Sequence, residues 1–311
     1  MKRRSSAPAF LAAALLLAAA MFPSTARAHG TSVNITTDDD LALDSCDGIK
    51  VRFGEYHDSM PMAREEERLT VARSSASPLR IQLSDAGGMR IQGWDRDEYA
   101  VRVCKAAGAW SLSSAQRALK EVSVSLENGR ITASGPEEGT WLVYLIIQAP
   151  RNADLELETE NGEIGLTDVS GRVRARSGNG PISLKKCSRE ISATTENGPI
   201  SVKGGSGDHH LRTENGPISV DLAGGSWHGG GLEARTENGP LDLNLPGNYR
   251  SAIRVEATGH SPMECKAKAC RTARKSWDED TRWVEFGSGP FAVRLSTVNG
   301  PVSIKSRVSD V

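Results

Sequence analysis

The chain has 311 residues and a net charge of −1, with 38 Lys and Arg against 39 Asp and Glu. That balance gives no push toward nucleic acid or an anionic membrane surface. Aromatic residues make up only 5% while Gly numbers 31, a composition for many short strands joined by tight turns and not for a large aromatic core.

Residues 1–28 read as a signal peptide. Lys2, Arg3 and Arg4 form a basic start, residues 7–22 an apolar stretch and Ala26-Arg27-Ala28 a small-x-small cleavage site. The apolar stretch is too short for a comfortable membrane span, and no second long apolar segment follows. The expectation is an exported product without a transmembrane segment in the mature chain, either periplasmic or secreted to the cell surface. Export places the cysteines in an oxidising compartment. Their number, five, is odd, so at least one stays outside intramolecular disulfides. Cys46 with Cys104 and Cys265 with Cys270 are the candidate pairs, leaving Cys187 alone.

Residues 29–80 lack any repeat and are expected to form a β-rich cap over the first coil. Residues 113–121 have helical composition behind a Ser start, expected as a short helix on an outer loop. Residues 81–311 carry a repeat. Asn161, Asn179, Asn197 and Asn215 stand 18 residues apart, Asn238 follows after 23 and Asn299 after 61. Each is followed by Gly and preceded, two residues earlier, by a small hydroxyl residue: Thr159, Ser177, Thr195, Thr213, Thr236 or Thr297. Apolar residues alternate on both sides, from Leu155/Leu157 and Ile164/Leu166 to Val293/Leu295 and Val302/Ile304, the period of a half-buried strand.

Asn-Gly is expected to supply positive φ angles for a tight turn, and the Pro that follows in five copies starts the next strand. Each 18-residue coil then holds two strands and two turns. The fold class is therefore all-β: an elongated β-solenoid, β-helix or β-roll-like, with coils stacked about 4.8 Å apart. On that register Glu156 and Glu158 lie beside Arg174 and Arg176. Earlier versions of the turn are Leu126-Glu127-Asn128-Gly129 and Gly87-Gly88-Met89-Arg90-Ile91. The polar, basic stretch at about 259–282, containing Cys265 and Cys270, reads as an insertion loop.

The leader, the coils, the turns Thr195-Glu196-Asn197-Gly198-Pro199-Ile200 and Thr213-Glu214-Asn215-Gly216-Pro217-Ile218, and the segment GGMRIQGWDRDEY at 87–99 resemble the bacterial putative-adhesin family of β-solenoid domains. The resemblance covers roughly residues 80–311. It implies the solenoid fold and brings no catalytic motif that could be carried over to particular residues.

Among candidate sites, the column Asn161, Asn179, Asn197, Asn215, Asn238 and Asn299 reads as a structural turn ladder. The row Glu160, Glu196, Glu214 and Glu237 stacks like charges and could draw a cation or a basic partner. The simpler reading is a solvated turn partly neutralised by Arg212 and Arg235. Outward residues offer two binding faces: Arg174, Arg176, Arg212 and Arg235 on one sheet, Ser183, Ser201, Ser219 and Asp242 on the other. Gly204-Gly205-Ser206-Gly207-Asp208 is half of a calcium-binding nonapeptide, but its Asp comes one residue early and it occurs once. His29, as a mature N-terminus, could chelate copper, yet nothing places His57, His209, His210, His228 or His260 beside it. His209 falls on an inward position as a lining residue. No metal or cofactor is therefore expected.

There is no G-x-S-x-G elbow, H-E-x-x-H helix or phosphate loop. The resulting expectation is a non-enzymatic exported cell-envelope protein, an adhesin-like scaffold or binding module whose partner is a glycan or an envelope protein. Two alternatives stand beside it: a polysaccharide-acting β-helix enzyme with a cleft near 259–282, and a regulatory partner in envelope stress.

Overall fold

The computed structural model describes residues 33–37, 45–54, 59–137, 140–258, 261–278 and 280–307. The leader at 1–28, His29, His57 and His260 lie outside the described residues. The rest belongs to one unit, Thr31–Val311, and among the described residues one α-helix and two short 3₁₀ turns accompany otherwise all-β structure.

Two large mixed sheets organise this unit, and the repeat builds their parallel part. Strands that precede each Asn-Gly form a leading sheet: Leu155–Asn161, Val173–Ser177, Glu190–Thr195, Asp208–Asn215 and Gly231–Asn238 pair in parallel, each residue on its counterpart one repeat away. Strands that follow it form a trailing sheet in the same way: Ile164–Thr167, Ile182–Lys185, Ile200–Lys203, Ile218–Asp221 and Leu241–Leu245. The alternating apolar residues turn inward from both sheets into one continuous core. Each fully buried Ile, Leu or Val there contributes about 1.5–3 kcal/mol.

The long strand Leu79–Trp94 takes part in both sheets. Its residues 79–83 lie on Leu155–Asn161, while 89–92 lie on Ile164–Thr167. It is thus the rung before Leu155, although the chain does not run directly from one to the other. Strands Arg130–Ser134 and Thr140–Pro150 pair in parallel with its other side, so a later stretch of chain forms the outermost rung. The opposite end does the same. Ser288–Asn299 inserts between Gly231–Asn238 and Ser251–Thr258. Val302–Ser306 inserts between Leu241–Leu245 and Met263–Cys265.

In spatial order, rung one is therefore 130–150, rung two 79–94, rungs three to seven the clean repeats from 155 to 245, rung eight 288–306 and rung nine 251–265. The 61-residue gap before Asn299 is the length of an outer rung that the chain builds before returning beneath it. Antiparallel strands finish the sheets: Ser123–Glu127 beyond rung one and Thr281–Phe286 with Arg274–Trp277 beyond rung nine. The trailing sheet ends in Glu98–Gly108 and Met62–Ala72. This last edge carries Arg64, Glu65, Glu66, Glu67 and Arg68, charges that discourage edge-to-edge pairing.

Three local expectations need revision. The stretch 259–282 is not a plain loop. It holds strands Met263–Cys265 and Arg274–Trp277 and a 3₁₀ turn, Lys268–Arg271, with Ala267 and Cys270 buried in the main core. The helix Leu112–Glu121 is not an outer-loop decoration either. Ser111 caps it by accepting from the Ser114 amide at 3.2 Å, and Ala115 and Leu119 enter the main core.

Asn128-Gly129 is a true two-residue hairpin, with φ of 50° and 71° joining antiparallel strands. The six repeat Asn-Gly pairs are not, because their flanking strands belong to different sheets. None of those twelve residues adopts positive φ. Their glycines answer a different need: a Cβ on Gly180, Gly198 or Gly216 would stand 2.0, 2.2 or 2.1 Å from the carbonyl oxygen of the glycine one rung below. Close approach of backbone to backbone excludes every side chain there.

Of the expected cap, strand Ile49–Phe53 pairs antiparallel with Val33–Thr37. Ile49 and Phe53 pack on the outer side of the trailing sheet, against Cys104, Ala106, Leu142, Tyr144 and Ile146. This small second core covers a face of the stack. Disulfide Cys46–Cys104 ties it down, Cys265–Cys270 staples the far end, and Cys187 is a buried free thiol.

Candidate functional site: the outward columns

At each repeat turn two polar ladders run along the stack. Asn179 Nδ2 donates to Asn161 Oδ1 at 2.9 Å, and Asn197, Asn215, Asn238 and Asn299 continue the chain at 2.9–3.0 Å. Behind it, each small hydroxyl donates to the glycine carbonyl of the neighbouring rung, from Thr159 to Gly87 O at 3.1 Å through Thr297 to Gly239 O at 3.0 Å. These side chains spend their hydrogen bonds on one another and on the backbone of the next rung. Their geometry holds register.

The Glu row next to the ladder does not converge. Rung four has Gly178 in this position between Glu160 and Glu196, and Glu237 is taken by Arg212. Among the described residues no group of three or more His, Cys, Asp or Glu is placed to hold a metal ion. In the half-nonapeptide, the Asp208 carboxylate lies 3.4 Å from His210 Nε2.

The outward face of the leading sheet brings more together. In-register pairing aligns Arg80, Glu156, Arg174, Ser192, His210 and Glu233 in one column, and Gln82, Glu158, Arg176, Thr194, Arg212 and Arg235 in the next. Arg80 Nε donates to Glu156 at 2.8 Å, and Arg130 on rung one reaches Gln82 Oε1 at 3.4 Å. A depression of about 250 Å³ opens over rungs one to four, lined by Arg80, Arg130, Glu156, Glu158, Arg174 and Arg176 among others. Arg80 and Arg130 escape a reading of the clean repeat because they precede it. The alternation Leu79-Arg80-Ile81-Gln82-Leu83 is the signal that could have found them.

On the trailing sheet Ser183, Ser201, Ser219 and Asp242 occupy one outward column. Ser201 Oγ donates to Ser183 at 3.1 Å, and in the parallel column Asn244 donates to Asp221 at 2.6 Å. This face turns part of its polarity inward on itself.

His209 occupies an inward repeat position and is 1% exposed. Among the described residues neither ring nitrogen has a hydrogen-bond partner. Its ring meets Trp227 edge to face, with centroids 5.1 Å apart and planes at 82°. Burial pushes its pKa down to about 4, so the ring is neutral at pH 7 and behaves as core. The neighbouring Gly205 is set by its backbone, with φ of 122° and a Cβ that would stand 2.6 Å from the Cys187 carbonyl oxygen, while the His209 ring would lie at an ordinary contact distance of 3.5 Å.

No family model matches the chain, and no curated protein matches it in sequence. Solved structures similar to it include a putative adhesin from Bacteroides fragilis NCTC 9343, at 10% identity and TM-score 0.38, covering 79% of this chain and 97% of that one. A putative cell adhesion protein from Clostridium sporogenes ATCC 15579 has 11% identity and TM-score 0.34, with 79% and 100% coverage. A putative lipid binding protein from Parabacteroides distasonis ATCC 8503 has 7% identity and TM-score 0.31, with 79% and 97% coverage. Its structural neighbours thus include bacterial proteins named as adhesins. At TM-scores below 0.5 these likenesses carry nothing over to this chain.

Proposed function

We propose that the chain is a non-enzymatic, exported binding module of the cell envelope, built as a β-solenoid whose outward columns contact a glycan or an envelope protein. The observation that carries this reading is the in-register alignment of exposed polar residues, Arg174, Arg176, Ser192, Arg212 and Arg235 among them, along the leading sheet. Repetition at about 4.8 Å per rung turns individually weak contacts into a multivalent surface. Parallel pairing of each repeat on the next supports the solenoid reading. Two disulfides fit an exported protein, and no helix among the described residues is long and apolar enough to cross a membrane.

The test is a glycan array on the exported chain together with a pull-down from envelope extract. Retention of defined glycans without turnover is the expected outcome. Release of sugar products would overturn it in favour of a polysaccharide-acting enzyme, and capture of one stoichiometric protein without glycan would favour a regulatory role.

A further inference from the structure

We infer that the ligand of the leading-sheet face is an acidic polysaccharide, a sugar chain with carboxylates spaced along it, lying across the rungs. The inference rests on the binding-module reading and narrows it to one chemical class and one face.

Several arginines are already committed to carboxylates. Arg80 is held by Glu156 at 2.8 Å, Arg212 by Glu237, and Arg254 by Glu256 and Glu285 at 2.9 and 2.6 Å. Arg174 and Arg176 on rung four and Arg235 on rung seven are exposed and have no carboxylate within ion-pair distance among the described residues. Among the described residues Arg130 on rung one reaches the neutral amide oxygen of Gln82 and has no carboxylate within ion-pair distance. Guanidinium groups with no ion pair among the described residues therefore stand at rungs one, four and seven, three rungs apart, or about 14 Å at strand spacing, and Arg294 on rung eight adds one beside the last. A single small anion cannot bridge such intervals, whereas an extended polymer lying along the stack meets all three. Guanidinium forks suit carboxylates because two parallel N–H donors match two oxygens.

What lies between the arginines selects among polymers. Rung five presents Ser192 and Thr194, and Gln82 and Thr132 stand near Arg130; hydroxyl and amide groups of this kind match sugar hydroxyls. The acids Glu156, Glu158 and Glu233 interrupt the positive charge. Duplex DNA carries one charge per about 1.7 Å of axis and would set phosphates against those acids, while a sparsely charged polymer can leave gaps over them. No Trp, Tyr or Phe stands in the two outward columns from rung one to rung eight. From rung one to rung seven bases therefore find no stacking platform; the rings on this sheet, Phe291 under Arg294 and Trp283 under Arg254, lie at its far end.

The experiment measures binding of the exported chain to polygalacturonate, to its fully methyl-esterified neutral form and to single-stranded DNA, at low and at physiological salt. Alongside run Arg174→Ser/Arg176→Ser, Arg235→Ser and, on the opposite face, Lys185→Ser/Lys203→Ser. All substitute exposed residues, and circular dichroism checks the fold. Expected are binding of polygalacturonate weakened by salt, little binding of the ester or DNA, a loss of tenfold or more in the double arginine variant and of about threefold in Arg235→Ser, and a change under twofold in the lysine variant. Equal retention of the ester, tighter binding of DNA, or equal losses from both faces would overturn the inference. So would no binding of polygalacturonate. If the glycan array or the pull-down still returns a ligand in that case, the binding-module reading survives; if every arm is empty, both fail.

Discussion

Rungs three to seven and the two ends of the stack are built by different rules. In the middle each rung rests on the rung made by the adjacent repeat, so local sequence and nearest-neighbour contacts suffice. At both ends the outermost rung comes from chain that has stepped past its neighbour, and antiparallel strands, a helix and a disulfide close what remains. A serial stack would leave an open terminal rung with unpaired backbone and an uncovered core. Here the penultimate rung is gripped on both sides, so the terminal rung cannot peel away as an independent unit. Periodic sequence can extend a stack but cannot finish one.

Removing rung eight should have the largest effect. Truncation after Gly287 takes away the parallel neighbour of rung nine in both sheets. Amide exchange across Ser251–Phe286 should then rise to the rate of unfolded chain while rungs three to five keep their protection. Loss of protection spread evenly over all rungs would show that middle and ends are one cooperative unit after all.

Within the middle, Gly216→Ala should destabilise by about 3 kcal/mol or more, because the new Cβ meets a fixed carbonyl 2.1 Å away. Gly247→Ala, where a Cβ meets nothing within 4 Å, should change stability by no more than about 0.5 kcal/mol. Denaturant midpoints for the two variants give the contrast directly.

Buried His209 makes the middle sensitive to acid. Its folded pKa, about 4, lies below the ordinary 6.5, so the unfolded chain takes up a proton that the folded chain refuses. The associated stability is fully present above pH 6.5 and is lost as pH falls toward 4, up to about 3 kcal/mol in all. Replacing His209 with Leu should flatten that part of the stability–pH curve. An unchanged slope would mean the ring finds a partner on protonation.

Thr213→Val removes the donor to the Gly198 carbonyl, 2.9 Å away and buried, and should cost about 1–3 kcal/mol. Asn197→Ala removes two hydrogen bonds of the exposed amide ladder, the one it donates to Asn179 and the one it accepts from Asn215, and at a solvated surface should cost only about 1 kcal/mol. If the Asn variant proved the more damaging, register would be held from the surface and not from the hydroxyl row behind it.

Much of the middle is legible in the letters of the chain, since the period of two on each side of Asn-Gly names the inward residues one by one. The reason for the glycine is not. Asn128-Gly129 and Asn197-Gly198 look alike as letters, yet one closes a hairpin with positive φ and the other turns a corner between sheets with no room for a Cβ. Only the neighbouring rung distinguishes them. The candidate face is legible in the same partial way. Arg174 and Arg176 stand out in the repeat, while Arg80 and Arg130 join them through pairing between distant stretches of chain.

Sequence alone establishes that the chain is all-β, which side chains alternate inward in the clean repeats, and which outward residues share a column. Those properties follow from strand periodicity and from a period that recurs. The order of rungs at the two ends, the role of 259–282 as part of a closing rung, and the set of arginines that remain uncommitted are settled only in three dimensions. They depend on contacts between residues far apart in the chain, where hydrogen-bond demand at an open edge, and not local pattern, selects the partner.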